Sequence, residues 1–144
     1  MYSPASLAAN AYAKVGLESD VIAASPHQLI VLLYEGAELA VRMALRHMQE
    51  GDMLKKGTAI SKAGNIIQEG LRAALDTTKG GDLAAQLDAL YLYMDQRITL
   101  AHLRNDPAPL HEVLDLLREL RAAWQQIGAA SRAASTPHRQ SIAA

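Results

Sequence analysis

The sequence has no cysteine. Disulfides, thiolate metal sites and the Cys-x-x-Cys-His attachment of a c-type haem are therefore excluded, and the composition fits a reducing compartment. The opening residues Met1-Tyr2-Ser3-Pro4-Ala5-Ser6 carry no basic stretch and no apolar core follows them, so no signal peptide is expected. Long apolar runs are missing too. The longest, Leu29 to Tyr34, is far too short to span a bilayer, and no membrane insertion is expected. Charge of either sign is not in excess: a formal net charge of −1 gives no general attraction to anionic lipid, and no nucleic acid is expected as a partner. There is no strand-like alternation and no repeat of fixed period. What remains is a 144-residue chain, 50% apolar and 20% charged, suited to one soluble cytoplasmic domain with a real core.

Four segments carry helical periodicity with readable ends. The first opens at Ser25-Pro26-His27-Gln28, a Ser-x-x-Gln capping box with proline at the first helical position. Leu29, Leu33, Gly36, Ala37, Ala40 and Ala44 then recur on one face, and Gly51 supplies the stop. The second runs from about Met53 to Leu75, with Ile60, Ala63, Ile67, Leu71 and Ala74 in register, and Thr77-Thr78-Lys79-Gly80-Gly81 breaks it. Asp82 is expected to cap the third, whose stripe is Leu83, Leu87, Leu90, Met94, Ile98 and Ala101. Asp106 and Pro107 start the fourth, which reads Leu110, Val113, Leu114, Leu117, Leu120, Trp124 and Ile127 and is expected to stop near Gly128. Short connections between helices of similar length predict an all-α, antiparallel up-down four-helix bundle over residues 25–128. Residues 1–24 are read as a partly ordered N-terminal segment, in which Leu7, Tyr12 and Val15 lie against the bundle. Residues 129–144 lack an apolar stripe and are read as a disordered tail.

The chemistries that bundles commonly host are absent. No Glu-x-x-His pair exists to build a di-iron site, and the histidines (His27, His47, His102, His111, His138) are scattered, so no metal is expected. Lys79-Gly80-Gly81 lacks the Lys-Ser/Thr and the preceding strand of a phosphate loop. Glu35 and Glu38 are read as solvated charges opposite the apolar stripe, paired at helical spacing with Arg42 and Arg46. No nucleophile, base and orienting group can be assembled, so the chain is read as no enzyme and as needing no cofactor.

What the sequence has in surplus is apolar surface. On the first predicted helix, Ile30, Tyr34, Val41 and Leu45 extend the core stripe on one flank and Leu32, Leu39 and Met43 on the other. The apolar arc reaches roughly 240°, where a bundle helix needs little more than about 100°. The third predicted helix repeats the excess with Ala89, Leu92, Tyr93, Leu100 and Leu103. Large apolar patches mark binding surfaces or liabilities. Three covers suit the surplus equally on physical grounds: the chain's own N-terminal segment, a second copy, or the amphipathic helices of a partner laid into grooves. Tyr34, Tyr91 and Tyr93 add amphipathic rings suited to a wet, reversible interface.

These residues also carry a resemblance. Val21-Ile22-Ala23-Ala24-Ser25-Pro26-His27-Gln28-Leu29-Ile30 followed by Leu33-Tyr34-Glu35-Gly36-Ala37 resembles the signature of the flagellar secretion chaperone FliS family. Lys62-Ala63 with Ile66-Ile67, Leu90-Tyr91-Leu92-Tyr93-Met94 with Arg97, Leu103-Arg104-Asn105-Asp106 and Ala123-Trp124-Gln125 follow in the family's order and spacing. Leu92 stands where the family usually has an acidic residue, and Ala101-His102 where it has Ala-Asn. The resemblance, from about Tyr12 to Trp124, implies a chaperone that binds the C-terminal segment of flagellin as helices wrapped around the bundle. That binding blocks polymerisation in the cytoplasm, and the loaded complex goes to the cytoplasmic domain of the flagellar export gate. It further implies that the N-terminal stretch occupies part of the cargo site, with Tyr12 as a displaceable plug. Tyr12, Ile30, Leu32, Tyr34, Leu39, Leu92, Tyr93, Leu100 and Leu103 are the expected partner contacts. The rival reading is a helical adaptor whose apolar flanks close a permanent homodimer.

Overall fold

The computed structural model describes residues 4–16, 25–76, 78 and 80–135. Within them the chain forms five helices: α1 (Pro4–Lys14), α2 (Pro26–Glu50), α3 (Met53–Asn65), α4 (Gly81–Arg104) and α5 (Ala108–Ser135). Among the described residues there is no strand. Residues 17–24 of the N-terminal segment, Thr77 and Lys79 of the breaker and 136–144 of the expected tail lie outside the described residues.

Local chemistry accounts for most ends. Ser25 Oγ accepts the backbone N–H of Gln28 at 3.1 Å, and the Gln28 amide oxygen accepts the backbone N–H of Ser25 at 2.9 Å, closing the expected capping box. Gly51 terminates α2 in the left-handed region at φ 76°, sending its N–H back to His47 and Met48 carbonyls. Asp52 caps α3 by accepting from Lys55 N at 3.1 Å. Asp106 accepts from Ala108 N at 3.0 Å at the start of α5, as its sequence position suggested.

Three boundaries differ from expectation. The helix after Met53 is not uniform: Ile66–Arg72 follows α3 directly as a π-helical segment. Such segments are rare and widen the turn, re-aiming side chains that a regular helix would stack. Gly70 in this segment faces Leu33 so closely that a built Cβ would lie 2.9 Å from its Cδ2. Asp82 does not cap α4; Gly80 holds that position without a side-chain bond, and Asp82 sits in the first turn. The fourth expected helix does not stop at Gly128 but continues as α5 to Ser135, past the expected start of the tail. One interior glycine costs only about 1 kcal/mol, and the Ala-rich run that follows supplies strong helix formers.

The core runs through the middle of the bundle. Leu33, Ala37, Ala44, Ala63, Ile66, Ile67, Met94, Ala101, Leu110, Val113 and Leu117 are wholly buried. α2 packs on α3 and α5, while α4 packs on α5 and on α3 with its π-helical continuation. Contacts between sequential helices pair late residues with early ones, as in hairpins: Arg97 with Glu112, Arg72 with Asp88, Leu33 with Gly70. α2 and α4 therefore sit diagonally, and their outer flanks face different sides. α1 lies along α2 and the π-helical segment, burying Ala8, Ala11, Tyr12 and Val15.

Candidate functional site

The outward face of α4 carries an exposed apolar surface. Its side toward α3 is committed to polar contacts: Asp88 binds the Arg72 guanidinium, and the His102 carbonyl accepts from Lys56 Nζ at 3.4 Å. Its side toward α5 carries Arg97, whose Nε lies 2.7 Å from Glu112. Between these edges, at about 100° per residue, fall Ala85, Ala89, Leu92, Gln96 and Leu103, all exposed, with Leu100 and Tyr93 beside them. Leu103 is 76% exposed and Leu92 and Tyr93 are each 39% exposed. The strip from Leu92 to Leu103 is about 16 Å long.

Tyr93 is held at the rim of this strip. Its hydroxyl donates to Glu112 Oε2 at 2.5 Å, and Arg97 Nε donates to the other oxygen at 2.7 Å. The hydrogen bond to Glu112 raises the Tyr93 phenol above its ordinary range. The same two donors, Tyr93 first and then Arg97, hold the Glu112 carboxyl below its own. The ring is thereby oriented with its apolar body along the strip and its polar tip engaged, an amphipathic arrangement common at interfaces.

The other expected contacts do not join one patch. Leu39, 50% exposed, lies with Met43 on the outer flank of α2, on a different side of the bundle from the α4 strip. Leu32 and Ile30 on α2 and Leu100 on α4 are half-buried. Ile30 lines an apolar cavity of about 290 Å³ where Ala8, Leu71, Leu87 and Trp124 converge. Tyr12, on α1, is buried where that helix packs against α2 and the π-helical segment. Tyr34 and Tyr91, read from sequence as rings for a wet interface, are core residues. Their hydroxyls hydrogen-bond each other at 2.5 Å, with ring centroids 6.4 Å apart, and burial raises both phenols. The tie gives each hydroxyl a hydrogen-bond partner in a place water does not reach.

Glu38 is not solvated but 2% exposed, and its carboxylate accepts from Arg121 Nε at 2.6 Å and Nη2 at 3.2 Å. Arg46 pairs with Glu50 rather than with Glu35 or Glu38. Lys56 was not singled out from the sequence. It is wholly buried, and its Nζ donates to Asn105 Oδ1 at 2.9 Å, tying α3 to the left-handed turn that ends α4.

Among the described residues no group of three or more His, Cys, Asp or Glu side chains is placed to hold a metal ion. Among them, too, no helix is long and apolar enough to cross a membrane. What the geometry offers is surface: an apolar strip with a fixed aromatic rim on α4, and a smaller apolar flank on α2.

Comparison with known proteins gives these surfaces a context. The profile of the flagellar protein FliS family matches residues 8–131. The flagellar secretion chaperone FliS of Salmonella typhimurium is 50% identical over 117 residues, which cover 81% of this chain and 87% of that protein. The Escherichia coli protein of the same name is 42% identical over 116 residues, 81% of this chain and 85% of its own length. That of Bacillus subtilis is 35% identical over 109 residues, 76% of this chain and 80% of its own.

Proposed function

The chain belongs to the flagellar protein FliS family, and on that premise we propose that it is a cytoplasmic chaperone for the C-terminal segment of flagellin, keeping it from polymerising and carrying it to the export gate. The observation that carries this reading is the α4 strip. Leu92, Tyr93 and Leu103 stand in water on a helix whose other sides are already engaged. A surface of this length suits an amphipathic helix laid along it. Each leucine covered removes apolar area worth up to about 2 kcal/mol.

Leu39 with Met43 on the outer flank of α2 offers a second contact on another side of the bundle, so a segment using both must wrap around the molecule. Ile30, Leu32 and Leu100 deepen these contacts as partly covered neighbours. Tyr12 serves as the plug that α1 lays over α2, displaceable because α1 is short and adds one layer to a finished bundle. Tyr34 acts indirectly, fixing the position of α4 through Tyr91.

Co-purification tests this. From cells making flagellin, the chaperone is expected to retain full-length flagellin and to lose it when the C-terminal segment is deleted. Equal retention of the truncated protein overturns the assignment. Recovery of an empty dimer that does not dissociate on dilution favours the rival, an adaptor that closes on a second copy.

A further inference from the structure

A second cleft, of about 730 Å³, runs between the C-terminal half of α2 and the beginning of α5. Leu45, Met48 and Leu114 form its floor, and Arg42, Arg46 and His111 its rim. No carboxylate lines it. Arg46 shares its charge with Glu50, 3.3 Å away on an exposed edge. Arg42 has no ion-pair or hydrogen-bond partner among the described residues, although the chain as a whole is slightly acidic. Its volume lies in the range of ordinary ligand clefts, roughly 300–1,000 Å³. It shares no residue with the α4 strip.

A cationic rim above an apolar floor selects a ligand that brings both anionic and apolar groups. A nucleic-acid backbone answers only the rim, and two arginines with one histidine on a chain of formal net charge −1 make no extended basic track. We infer that this cleft docks an acidic amphipathic segment of a protein partner, with the segment's apolar side chains on Leu45, Met48 and Leu114 and its carboxylates at Arg42, Arg46 and His111. Complementary charge at such a rim sets orientation and on-rate, while the floor supplies affinity. The cleft shares no residue with the strip on α4, so a segment docked in it leaves that strip uncovered.

Fluorescence anisotropy on the full chain tests the inference. The probe is a labelled short peptide of alternating Leu-Leu and Glu-Glu pairs, compared with its Lys-Lys counterpart and with a short single-stranded RNA. The acidic peptide is expected to bind, to weaken as salt is added, and to weaken about tenfold in the Arg42→Ala/Arg46→Ala double variant. Both arginines are exposed, so the variant is expected to fold, and it should bind the C-terminal flagellin segment as the parent does. Amide shifts on peptide addition should centre on residues 42–49 and 105–114. No binding, equal binding of the lysine peptide, tighter binding of RNA, unchanged affinity in the double variant, or shifts centred on residues 92–103 would each overturn it. Failure of the parent chain to bind flagellin, with its peptide binding intact, would instead count against the chaperone reading alone.

Discussion

Glu38 is a nearly buried carboxylate whose charge is met by a partner 83 residues away in the chain. Removing one member of such a pair leaves the other stranded, which costs far more than the pair contributes. Arg121→Ala is expected to lower stability by about 3 kcal/mol, and Glu38→Gln by about 1, since the amide keeps a hydrogen bond to Arg121. Urea unfolding measures both, and negligible cost for both would show that Glu38 is solvated after all. Tyr93 offers a test by titration. Its phenol is raised because Glu112 accepts its hydrogen bond, so this interaction is complete below the usual phenol range and is lost as pH climbs through the elevated value. Glu112, held low by Tyr93 and Arg97, contributes above its unfolded value and loses its share as pH falls through the depressed one. Glu112→Gln should bring the Tyr93 titration, followed by NMR at its ring carbon, back down toward the ordinary range. A Tyr93 curve unmoved by that substitution would remove the rim from the site.

The helix ends that were legible in the sequence are those decided by neighbours a few residues apart. Ser25 and Gln28 close a box, Gly51 takes a positive φ, and Asp106 caps its own helix. The π-helical segment was not legible, because it answers to tertiary packing: Gly70 lies close against both Leu33 and Val15, the residue that follows α1. Gly70→Ala puts a methyl where Leu33 Cδ2 and Val15 Cγ1 already stand, at 2.9 and 3.3 Å. Leu33 is wholly buried and cannot retreat, so overpacking of about 1–3 kcal/mol is expected, relieved chiefly by lifting α1. Hydrogen exchange should show residues 8–15 losing protection first. Uniform loss across all helices would mean that α1 is part of one cooperative core and no plug. The extension of α5 to Ser135 escaped the sequence reading for a different reason: a search for an apolar stripe ignores runs of alanine, which hold a helix by propensity alone.

At the scale of the molecule, the surplus of apolar residues was visible in the sequence, but its disposal was not. A helical wheel gives Tyr34, Val41 and Leu39 similar standing on the flanks of α2. The bundle takes the first two wholly inside and leaves Leu39 half in water. What decides between them is the placement of α3 and α5 on either side of α2, and one helix's own periodicity carries no record of that. On α4 the wheel placed Leu83, which is exposed, in the core stripe and missed the burial of Tyr91, but it rightly left Leu92 and Leu103 outside, between the polar edges at Asp88 and Arg97. Substitution there touches water, so stability should change by less than about 0.5 kcal/mol while binding suffers.

The most direct measurement is calorimetric titration of the parent and of the Leu92→Glu/Leu103→Glu variant with the isolated C-terminal segment of flagellin, alongside thermal unfolding of each. The parent should bind, and the variant should unfold at nearly the same temperature yet bind at least tenfold more weakly, because two apolar contacts on the strip become charges that must be desolvated. Equal affinity in a folded variant would contradict the claim that the outward face of α4 is where cargo lies.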